Sequence, residues 1–343
     1  MTEPYPLTFE PILKQKVWGG RRLARYGKAL EPGAKYGESW ELADLASTSI
    51  SGGGGGAAVS VICNGPLAGR TIGDAIALWG ESLLGKSGMA GARAFGGQTG
   101  AGRPIFPLLL KFLDACEHLS VQVHPSAAYA AAHPGAHLKT ESWYVIEAEP
   151  GSLPSGEPVA PTIFQGLKPG VTAESFEAHI CDATVAIDLA NEPAIPGNCH
   201  TLPSGTVHAL GAGVLVAEVQ TPSDTTFRVY DWVREYERSE RELHIKQALA
   251  CIDFADAGPT PAVDALGGGR AAATGFYTMD VVLGGSEFEP GRAVAVMVLA
   301  GRGSIEGGTA GVPVGAGTTV LVPAGCGARL VGDGLTSIAV GLG

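Results

Sequence analysis

Short runs of alternating apolar and polar residues, separated by glycine and proline, dominate this chain. The run Ser120–His124 alternates at every position, and related patterns recur at 141–148, 214–220 and 225–230. A period of two places alternate side chains on opposite faces of a strand. The 51 glycines and 23 prolines among 343 residues are typical of short strands joined by tight turns. We therefore predict a mainly β fold of two barrels or jelly rolls, with a few helices attached mainly to the first.

Helical periodicity is confined to a few segments. Residues 71–85 carry apolar side chains at helical spacing behind Thr71, a candidate N-cap. A short helix is expected at 126–133, capped by Ser126 and closed by Pro134 and Gly135. Two further segments compatible with helices are 172–190 and 239–252.

Glycine-rich and proline-rich stretches indicate how the chain is divided. A length of 343 residues indicates two domains, or one large domain with an appendage. The segment 257–272 lacks periodicity and is the best linker candidate, so we predict domains at 1–256 and 273–343. The other irregular features predicted are a turn at Trp18–Gly20, a mobile loop at Gly52–Gly56 and a glycine-rich connector at 86–103.

Composition excludes several functional classes. The net charge is −11 and no cluster of lysine and arginine is present, so nucleic-acid binding is not expected. No apolar run approaches the ~20 residues of a membrane span, and the N-terminal sequence does not resemble a signal peptide. The six cysteines are scattered without a CxxC pair, which favours free thiols in a cytoplasmic protein. An anionic substrate would have to be bound by a few local cations.

Polar side chains occupy strand positions where a barrel interior should be apolar. Gln122 and His124 share one face of an alternating strand, and Lys139 and Glu141 share a face ahead of an apolar strand. A Pro/Gly turn then delivers His208 onto another strand. Each feature alone has a simpler explanation, such as a solvated edge strand or a surface ion pair. Together they supply two imidazoles, a carboxylate and an amide oxygen, a donor set that suits zinc with an open coordination position.

Two later strands carry a second polar stripe. Glu218 and Gln220 lie two residues apart, and Asp224, Thr226, Arg228 and Tyr230 alternate in the next strand. If both strands line one barrel, Arg228 points into the cavity of the metal ligands; either stripe facing solvent is the alternative. A rim ion pair of Arg228 with Asp224 or Asp231 also stays open. The histidines expected to be structural or at the surface are His118, His133, His137, His179, His200 and His244.

These motifs, in this order, resemble those of type I mannose-6-phosphate isomerases of the cupin superfamily. The similarity covers roughly residues 6–255 and corresponds to the compact bacterial form, because the chain between Glu141 and His208 is short. The motifs that carry it are Val17–Gly20, Tyr36–Leu42, Phe106–Ala115, Ser120–Pro125, Lys139–Glu141, Pro203–Ala209 and Asp224–Arg228.

The resemblance implies two cupin-like jelly-roll barrels, with catalysis in 1–256. The C-terminal barrel is expected to be degenerate, because the Pro/Gly turn at Val322–Gly327 is followed by no histidine. It also implies reversible conversion of mannose 6-phosphate to fructose 6-phosphate through an enediol, with one zinc per chain. The implied metal ligands are Gln122, His124, Glu141 and His208. The implied catalytic residues are Arg228, Lys139 and Glu218, and the implied substrate-binding residues are Ser120, Lys111 and Asp224.

Several alternatives stay open at this point. The general base is either Lys139 or Glu218. A different sugar phosphate, a metal-dependent cupin oxygenase with two histidines and a carboxylate on iron, and a non-catalytic sugar-phosphate sensor are the competing functions. The lysines and Arg228 favour a phosphorylated small-molecule substrate. The sequence does not set the oligomeric state, and a monomer is compatible with it.

Overall fold

Strands form most of the regular structure in the computed structural model, which describes residues 3–49, 54–133, 135–255, 257–308 and 311–343. The first strands are β1 Leu7–Thr8, β2 Ile12–Gly20, β3 Tyr36–Leu42, β4 Asp44–Leu45, β5 Ala58–Val59, β6 Leu109–Ala115, β7 Val121–Val123 and β8 Glu141–Ala148. They are followed by β9 Gly151–Ser152, β10 Pro158–Val159, β11 Thr162–Leu167, β12 Leu189–Pro193, β13 Asn198–Leu202, β14 His208–Leu210, β15 Val214–Gln220 and β16 Phe227–Tyr230. The last are β17 Val263–Asp264, β18 Gly269–Ala273, β19 Tyr277–Leu283, β20 Glu287–Phe288, β21 Val294–Ala300, β22 Arg302–Gly307, β23 Val312–Gly315, β24 Thr319–Val322, β25 Ala328–Val331 and β26 Thr336–Leu342.

Helices are fewer and mostly short. The α-helices are α1 Ile72–Trp79, α2 Glu81–Gln98, α3 Ala127–Ala132, α4 Ala173–Cys181, α5 Val233–Tyr236 and α6 Ile245–Cys251. Single 3₁₀ turns occur at Arg22–Tyr26, Gly65–Leu67 and Val185–Asp188. No helix in the described part of the chain is long and apolar enough to cross a membrane. The prediction of a mainly β fold is confirmed.

Two antiparallel sheets face each other in the N-terminal part. A seven-stranded sheet has the order β17-β13-β8-β15-β6-β2-β3, and a five-stranded sheet has the order β12-β11-β14-β7-β16. Apolar side chains of both sheets meet in one buried cluster, with Trp143 and Val216 from the first and Ile163 and Leu210 from the second. Within the described residues the hydrogen bonding closes neither sheet on itself, so the predicted barrel is a sandwich of two sheets.

The C-terminal part repeats this arrangement with a six-stranded sheet, β1-β24-β21-β26-β19-β18, and a four-stranded sheet, β20-β25-β22-β23. Strand β1, from the other end of the chain, supplies an edge of the six-stranded sheet, with Leu7 opposite Leu321. The segment predicted as a linker contains β17, which pairs with β13, and most of β18, which pairs with β19. The domain bounds themselves stay a prediction.

The seven-stranded sheet is covered on both faces. Its side opposite the five-stranded sheet packs against the six-stranded sheet in the largest buried cluster, where Phe112 and Val219 join Met279 and Val340. The Tyr277 hydroxyl donates to the carbonyl of Val219 at 3.0 Å. Strands β6, β8 and β15 are therefore buried on both sides, which makes the middle of this sheet a rigid platform.

The helix at 71–85 begins as predicted, but the connector predicted at 86–103 is wrong. Thr71 caps α1: its side chain accepts from the Asp74 N–H, and the Asp74 side chain accepts from the Thr71 N–H. Both backbone N–H groups lack a partner within the helix, so the two hydrogen bonds stabilise its first turn. Helix α2 reaches Gln98 and is broken once, at Gly85, whose φ of 73° and ψ of 172° are not helical. A Cβ at Gly96 would overlap the carbonyl oxygen of Arg103, and one at Gly88 would lie 2.9 Å from Leu342. These glycines permit close packing of the helix, where sequence reasoning took them for breaks.

Other local predictions have mixed outcomes. Ser126 caps α3 as expected, whereas 172–190 contains a shorter α4 and a 3₁₀ turn, and 239–252 is helical only from Ile245. The turn predicted at Trp18–Gly20 is wrong, because these residues end β2 and a Cβ at Gly19 would overlap the backbone of the neighbouring strand β3. Pro134, Gly52 and Gly53 lie outside the described residues.

His118 is a buried histidine of the fold. Its ring centroid lies 4.6 Å from that of Trp232 and 5.6 Å from that of Tyr236. Its Nδ1 accepts a hydrogen bond of 2.9 Å from the Ala212 N–H, which requires a neutral acceptor. Burial, and then the nearby Arg238 guanidinium, lower the pKa of His118 to about 4. The native state thus resists protonation of this ring.

Replacing His118 with Asn is expected to weaken the acid dependence of stability. Between pH 6.5 and about 4 the unfolded chain binds the His118 proton and the native chain does not, so stability falls as pH falls through this window. At pH 5 the contribution is ~2 kcal/mol, from 1.36 kcal/mol per pKa unit. Urea unfolding at pH 7.5 and pH 5 should show a smaller loss in His118→Asn than in the parent. An equal loss in both proteins contradicts the assignment.

Candidate metal centre and cleft

Four side chains predicted to bind metal converge between the two N-terminal sheets. His124 follows β7, Glu141 begins β8 and His208 begins β14, and each is at most 1% exposed. His124 Nε2 lies 3.4 Å from Glu141 Oε2, and His208 Nε2 lies 3.2 Å from Glu141 Oε1. The register places Gln122 opposite His208, with its amide nitrogen 3.2 Å from His208 Nε2. Elements of two sheets thus gather one donor set.

Backbone carbonyls orient both imidazoles. His124 Nδ1 lies 2.9 Å from the Thr225 oxygen, and His208 Nδ1 lies 2.8 Å from the Thr206 oxygen. A carbonyl oxygen only accepts, so each Nδ1 carries the proton and each Nε2 presents its lone pair to the centre of the cluster. Metal-binding histidines are commonly held in this way, because the outer hydrogen bond fixes both tautomer and ring orientation.

The Glu141 carboxylate requires a positive charge. Both of its oxygens are buried, and neither accepts a well-oriented hydrogen bond, although Lys139 Nζ lies 2.7 Å from Oε2. Burial opposes ionisation of Glu141, but the Lys139 ammonium outweighs it and holds the pKa of Glu141 well below its usual range. A buried carboxylate is costly unless it is paired or binds a metal. Two imidazole nitrogens and this oxygen fit a zinc ion.

The predicted metal ligands lie next to a cleft, and the remaining predicted site residues line this cleft. Gln122 and Lys139 connect the cluster with the cleft wall. In the described part of the chain, His124, Glu141 and His208 are the group of His, Cys, Asp or Glu side chains whose donor atoms lie close enough together, within 4.8 Å, to hold an ion. The predicted catalytic and substrate-binding residues that line the cleft are Ser120, Lys111, Lys139, Glu218, Asp224 and Arg228.

A row of cross-strand neighbours forms the floor of the cleft in the seven-stranded sheet. Glu218 lies opposite both Lys111 and Trp143. Lys111 Nζ is 2.9 Å from Glu218 Oε2, and the Trp143 indole donates to Oε1 at 2.9 Å. Burial raises the pKa of Glu218 despite the Lys111 ammonium, whereas Glu218 and then Glu38 raise the pKa of Lys111 against the effect of burial. Lys111 is therefore neutralised by carboxylates.

Sequence reasoning missed three residues at the same floor. Trp40 lies opposite Lys111, whose ammonium sits 5.0 Å above the indole ring. The Trp40 indole donates to Glu38 at 2.5 Å, and Lys16 Nζ is 3.2 Å from the other oxygen of Glu38. Burial opposes ionisation of Glu38, but Lys16 and Lys111 lower its pKa to about 2. The available signal was the two-residue spacing of Glu38 and Trp40 in Tyr36–Leu42.

Arg228 lies opposite Gln122 in the neighbouring strand and lines the cleft. It is 4% exposed, its NH1 donates to the Glu242 carbonyl at 2.9 Å, and its Nε has no hydrogen-bond partner. No carboxylate oxygen of a described residue lies within 4.0 Å of it, so the rim ion pair considered above does not form. Asp231 binds Arg241 instead, and Asp224 accepts from the Ser49 N–H.

The predicted face of Arg228 is only partly right. Asp224 and Thr226 line the same cleft as Arg228. Tyr230 does not share this face, because the register shifts between Arg228 and Tyr230. The Tyr230 ring packs 5.2 Å from that of Trp232 and its hydroxyl donates to Glu235. Because of this shift, the Tyr230 side chain at the end of β16 packs into a second buried apolar cluster.

Comparison with known proteins places this architecture in a family. No family model matches the chain. The probable mannose-6-phosphate isomerase GmuF of Bacillus subtilis (strain 168) is 36% identical over 252 residues, which cover 72% of this chain and 68% of that protein. The chain belongs to the mannose-6-phosphate isomerase family. The resemblance inferred from the motifs is thereby confirmed, and with it an isomerase enzyme.

Solved structures of this family share the fold. The crystal structure of the mannose 6-phosphate isomerase from Bacillus subtilis superposes with a TM-score of 0.74 and 25% identity, covering 98% of this chain and 99% of that one. A mannose 6-phosphate isomerase bound with zinc and yttrium superposes with a TM-score of 0.65 at 16% identity, covering 98% and 99%. The mainly β, cupin-like fold therefore extends through both halves of the chain.

Replacing His208 with Ala is expected to remove the metal. The variant loses a buried nitrogen donor, and since loss of an outer hydrogen bond alone costs 10–100-fold in affinity, the loss of a ligand should cost at least ~100-fold. Metal analysis after dialysis should find about one zinc per chain in the parent and almost none in the variant. His133→Ala is the control, because His133 is exposed and stacks on Tyr129. Equal metal binding by His208→Ala and the parent would exclude His208 as a ligand.

Proposed function

We propose that this protein interconverts mannose 6-phosphate and fructose 6-phosphate by proton transfer between C1 and C2 through an enediol. The observation that carries the proposal is the buried cluster of His124, Glu141 and His208 beneath a cation-lined cleft. The name of the relative GmuF supports the same substrate. An aldose–ketose isomerisation needs a group that stabilises charge on oxygen, a proton-transferring group and a binding site for phosphate, and the cleft offers candidates for each.

One zinc per chain is the proposed cofactor, held by Gln122, His124, Glu141 and His208. Bound zinc supplies Lewis-acid polarisation of the sugar oxygens and an anchor that orients them. The buried and otherwise unsatisfied oxygens of Glu141 support this, as do the two oriented Nε2 lone pairs. The zinc and yttrium found in a protein of the same fold are consistent with it.

Cations in the cleft make an anionic substrate favourable in a protein of net charge −11. The lining carries five cationic side chains against the three carboxylates Glu38, Glu218 and Asp224, and an excess of one sign in a cleft attracts oppositely charged ligands. Carboxylates hold several of these cations in place, as Glu218 holds Lys111. The cationic side chains of the cleft are Lys16, Lys111, Lys139, Arg228 and Arg241.

Two groups are candidates for the transfer of the substrate proton. Lys139 contacts Glu141 and lies 3.0 Å from His124 Nε2, directly beside the proposed metal centre. Glu218 lies on the cleft floor, where burial raises its pKa. A carboxyl group with a raised pKa suits general acid–base chemistry near neutral pH. We retain both as candidates, with Ser120 and Asp224 contacting the sugar hydroxyls.

Isomerase assays in deuterium oxide test the proposal. The metal-loaded protein should convert mannose 6-phosphate to fructose 6-phosphate and incorporate deuterium from solvent, because the enediol route passes the proton through an enzyme group. A chelator should abolish turnover and zinc should restore it. Free mannose is the control and should be converted far more slowly.

The competing functions give different results in the same assays. Binding of mannose 6-phosphate without deuterium exchange identifies a sensor, and consumption of oxygen identifies an oxygenase. Faster conversion of another hexose phosphate identifies a different isomerase. Equal turnover of mannose and mannose 6-phosphate contradicts the requirement for phosphate.

Arg228 is proposed to stabilise the negative charge that develops on the enediolate oxygens. Its position opposite Gln122, and the absence of a carboxylate partner among the described residues, support this role. Arg228→Ala should keep its zinc and melting temperature while kcat falls by about 10²–10³, the usual cost of one preorganised donor. Arg228→Lys should rescue little, since an ammonium does not reproduce the planar fork. Near-normal kcat in Arg228→Ala would remove it from the catalytic group. A lost fold would assign it a structural role.

These experiments do not test the remaining predictions from the sequence. The cytoplasmic location and the division at 257–272 stay predictions, and the oligomeric state stays open.

A further inference from the structure

Arg241 belongs to the cleft, although no motif singles it out. Its Nε donates to Asp231 at 2.5 Å and its NH2 donates to the other oxygen of Asp231. Asp231 is 2% exposed, so the guanidinium is anchored in the protein and fixed in orientation by a two-point contact. The side chain remains 27% exposed and lines the same cleft as Arg228. No residue in the described ranges accepts a hydrogen bond from its NH1.

Positive charge around Arg241 exceeds the negative charge that compensates it. Arg238 binds Glu117 at 2.9 Å and lies 3.8 Å from Asp231. Two carboxylates are thus in contact with these guanidinium groups, and Arg228 has no carboxylate within 4.0 Å in the part of the chain that the structure describes. Burial, and then Arg241, lower the pKa of Arg228, while Asp231 and Glu242 act in the opposite direction. Within contact distance, three guanidinium groups therefore face two carboxylates.

The cleft lysines are less suited to supply that anion site. Lys111 is already bound to Glu218 at 2.9 Å and lies 3.9 Å from Glu38. Lys139 contacts Glu141 at 2.7 Å, inside the metal cluster. N–H groups that lack an acceptor are found instead at Arg228 Nε and Arg238 NH1 and on Arg241, and of these three arginines Arg228 and Arg241 line the cleft. A guanidinium also matches the spacing of phosphate oxygens, which a point charge does not.

We propose that Arg241, positioned by Asp231, binds the phosphate group of the substrate and that the same dianion compensates the charge of Arg228. The proposal rests on the function proposed above, because the phosphate is that of the sugar substrate. The proposal gives Arg241 and Arg228 different roles. Arg241 contributes to substrate affinity, whereas the remaining N–H groups of Arg228 contact the sugar oxygens near the metal centre.

Phosphate binding and kinetics of Arg241→Gln test the assignment. Calorimetric titration of the zinc-loaded protein with inorganic phosphate should show about 10- to 100-fold weaker binding in the variant, the cost of lost hydrogen bonds to a charged group. KM for mannose 6-phosphate should rise by a similar factor, with a smaller change in kcat. Arg234→Gln is the matched control, because Arg234 is an exposed arginine of the same segment outside the cleft. It should bind phosphate like the parent.

Arg241→Lys keeps the charge and provides the test if Arg241→Gln fails to fold. It should bind phosphate several-fold more weakly than the parent, because the ammonium loses the fork held by Asp231. Parent-like phosphate affinity in a folded Arg241→Gln, or in Arg241→Lys, overturns the proposal. Weaker phosphate binding in a protein without isomerase activity would support the subsite and refute the proposed function. Normal isomerisation with an unchanged KM in Arg241→Gln would refute the subsite alone.

Discussion

The burial of the Glu141 carboxylate is the constraint on which the site depends. This side chain is 0% exposed and lies within 3.4 Å of both imidazole Nε2 atoms. An isolated buried carboxylate is unstable, and removing one partner of a buried pair typically costs about 3–5 kcal/mol. The two sheets must therefore meet in a single register that brings cationic or metal-binding groups to this point. The carbonyls of Thr206 and Thr225 serve the same constraint by fixing the rings.

Charge pairing extends from this point along the cleft floor. Lys111 is shared by Glu218 and Glu38, and Glu38 also binds Lys16. Each carboxylate restrains a cation that would otherwise be mobile or would shed its proton on burial. The result is a cleft whose charges are fixed before a ligand arrives, and such preorganisation avoids reorganisation during the reaction. Arg228 differs from these cations, since its charge has no such partner among the described residues.

Sequence patterns were sufficient to bring the predicted metal ligands together, but they missed part of the cleft wall. A strict period of two puts Gln122 and His124 on one face whatever the tertiary structure, and a Pro/Gly turn leaves little freedom for His208. Arg241 and Trp40 were missed because their positions depend on partners outside their own segments: Asp231, ten residues before Arg241, and Lys111 in the adjacent strand β6. Helix α2 escaped for a related reason. A glycine that allows close packing and a glycine that ends a helix look the same in one sequence.

The pairing of β1 with β24 has a consequence for how the chain folds. Leu7 and Leu321 lie opposite each other on paired strands although more than 300 residues separate them in the sequence, so the six-stranded sheet gains this edge only after both strands have been made. Contacts of such large sequence separation raise the contact order and slow folding. During synthesis β1 stays unpaired until β24, more than 300 residues later in the sequence, has been made. An exposed strand edge can pair with another chain. Because β1 has only two residues, it offers few backbone groups for such pairing while the protein is being made.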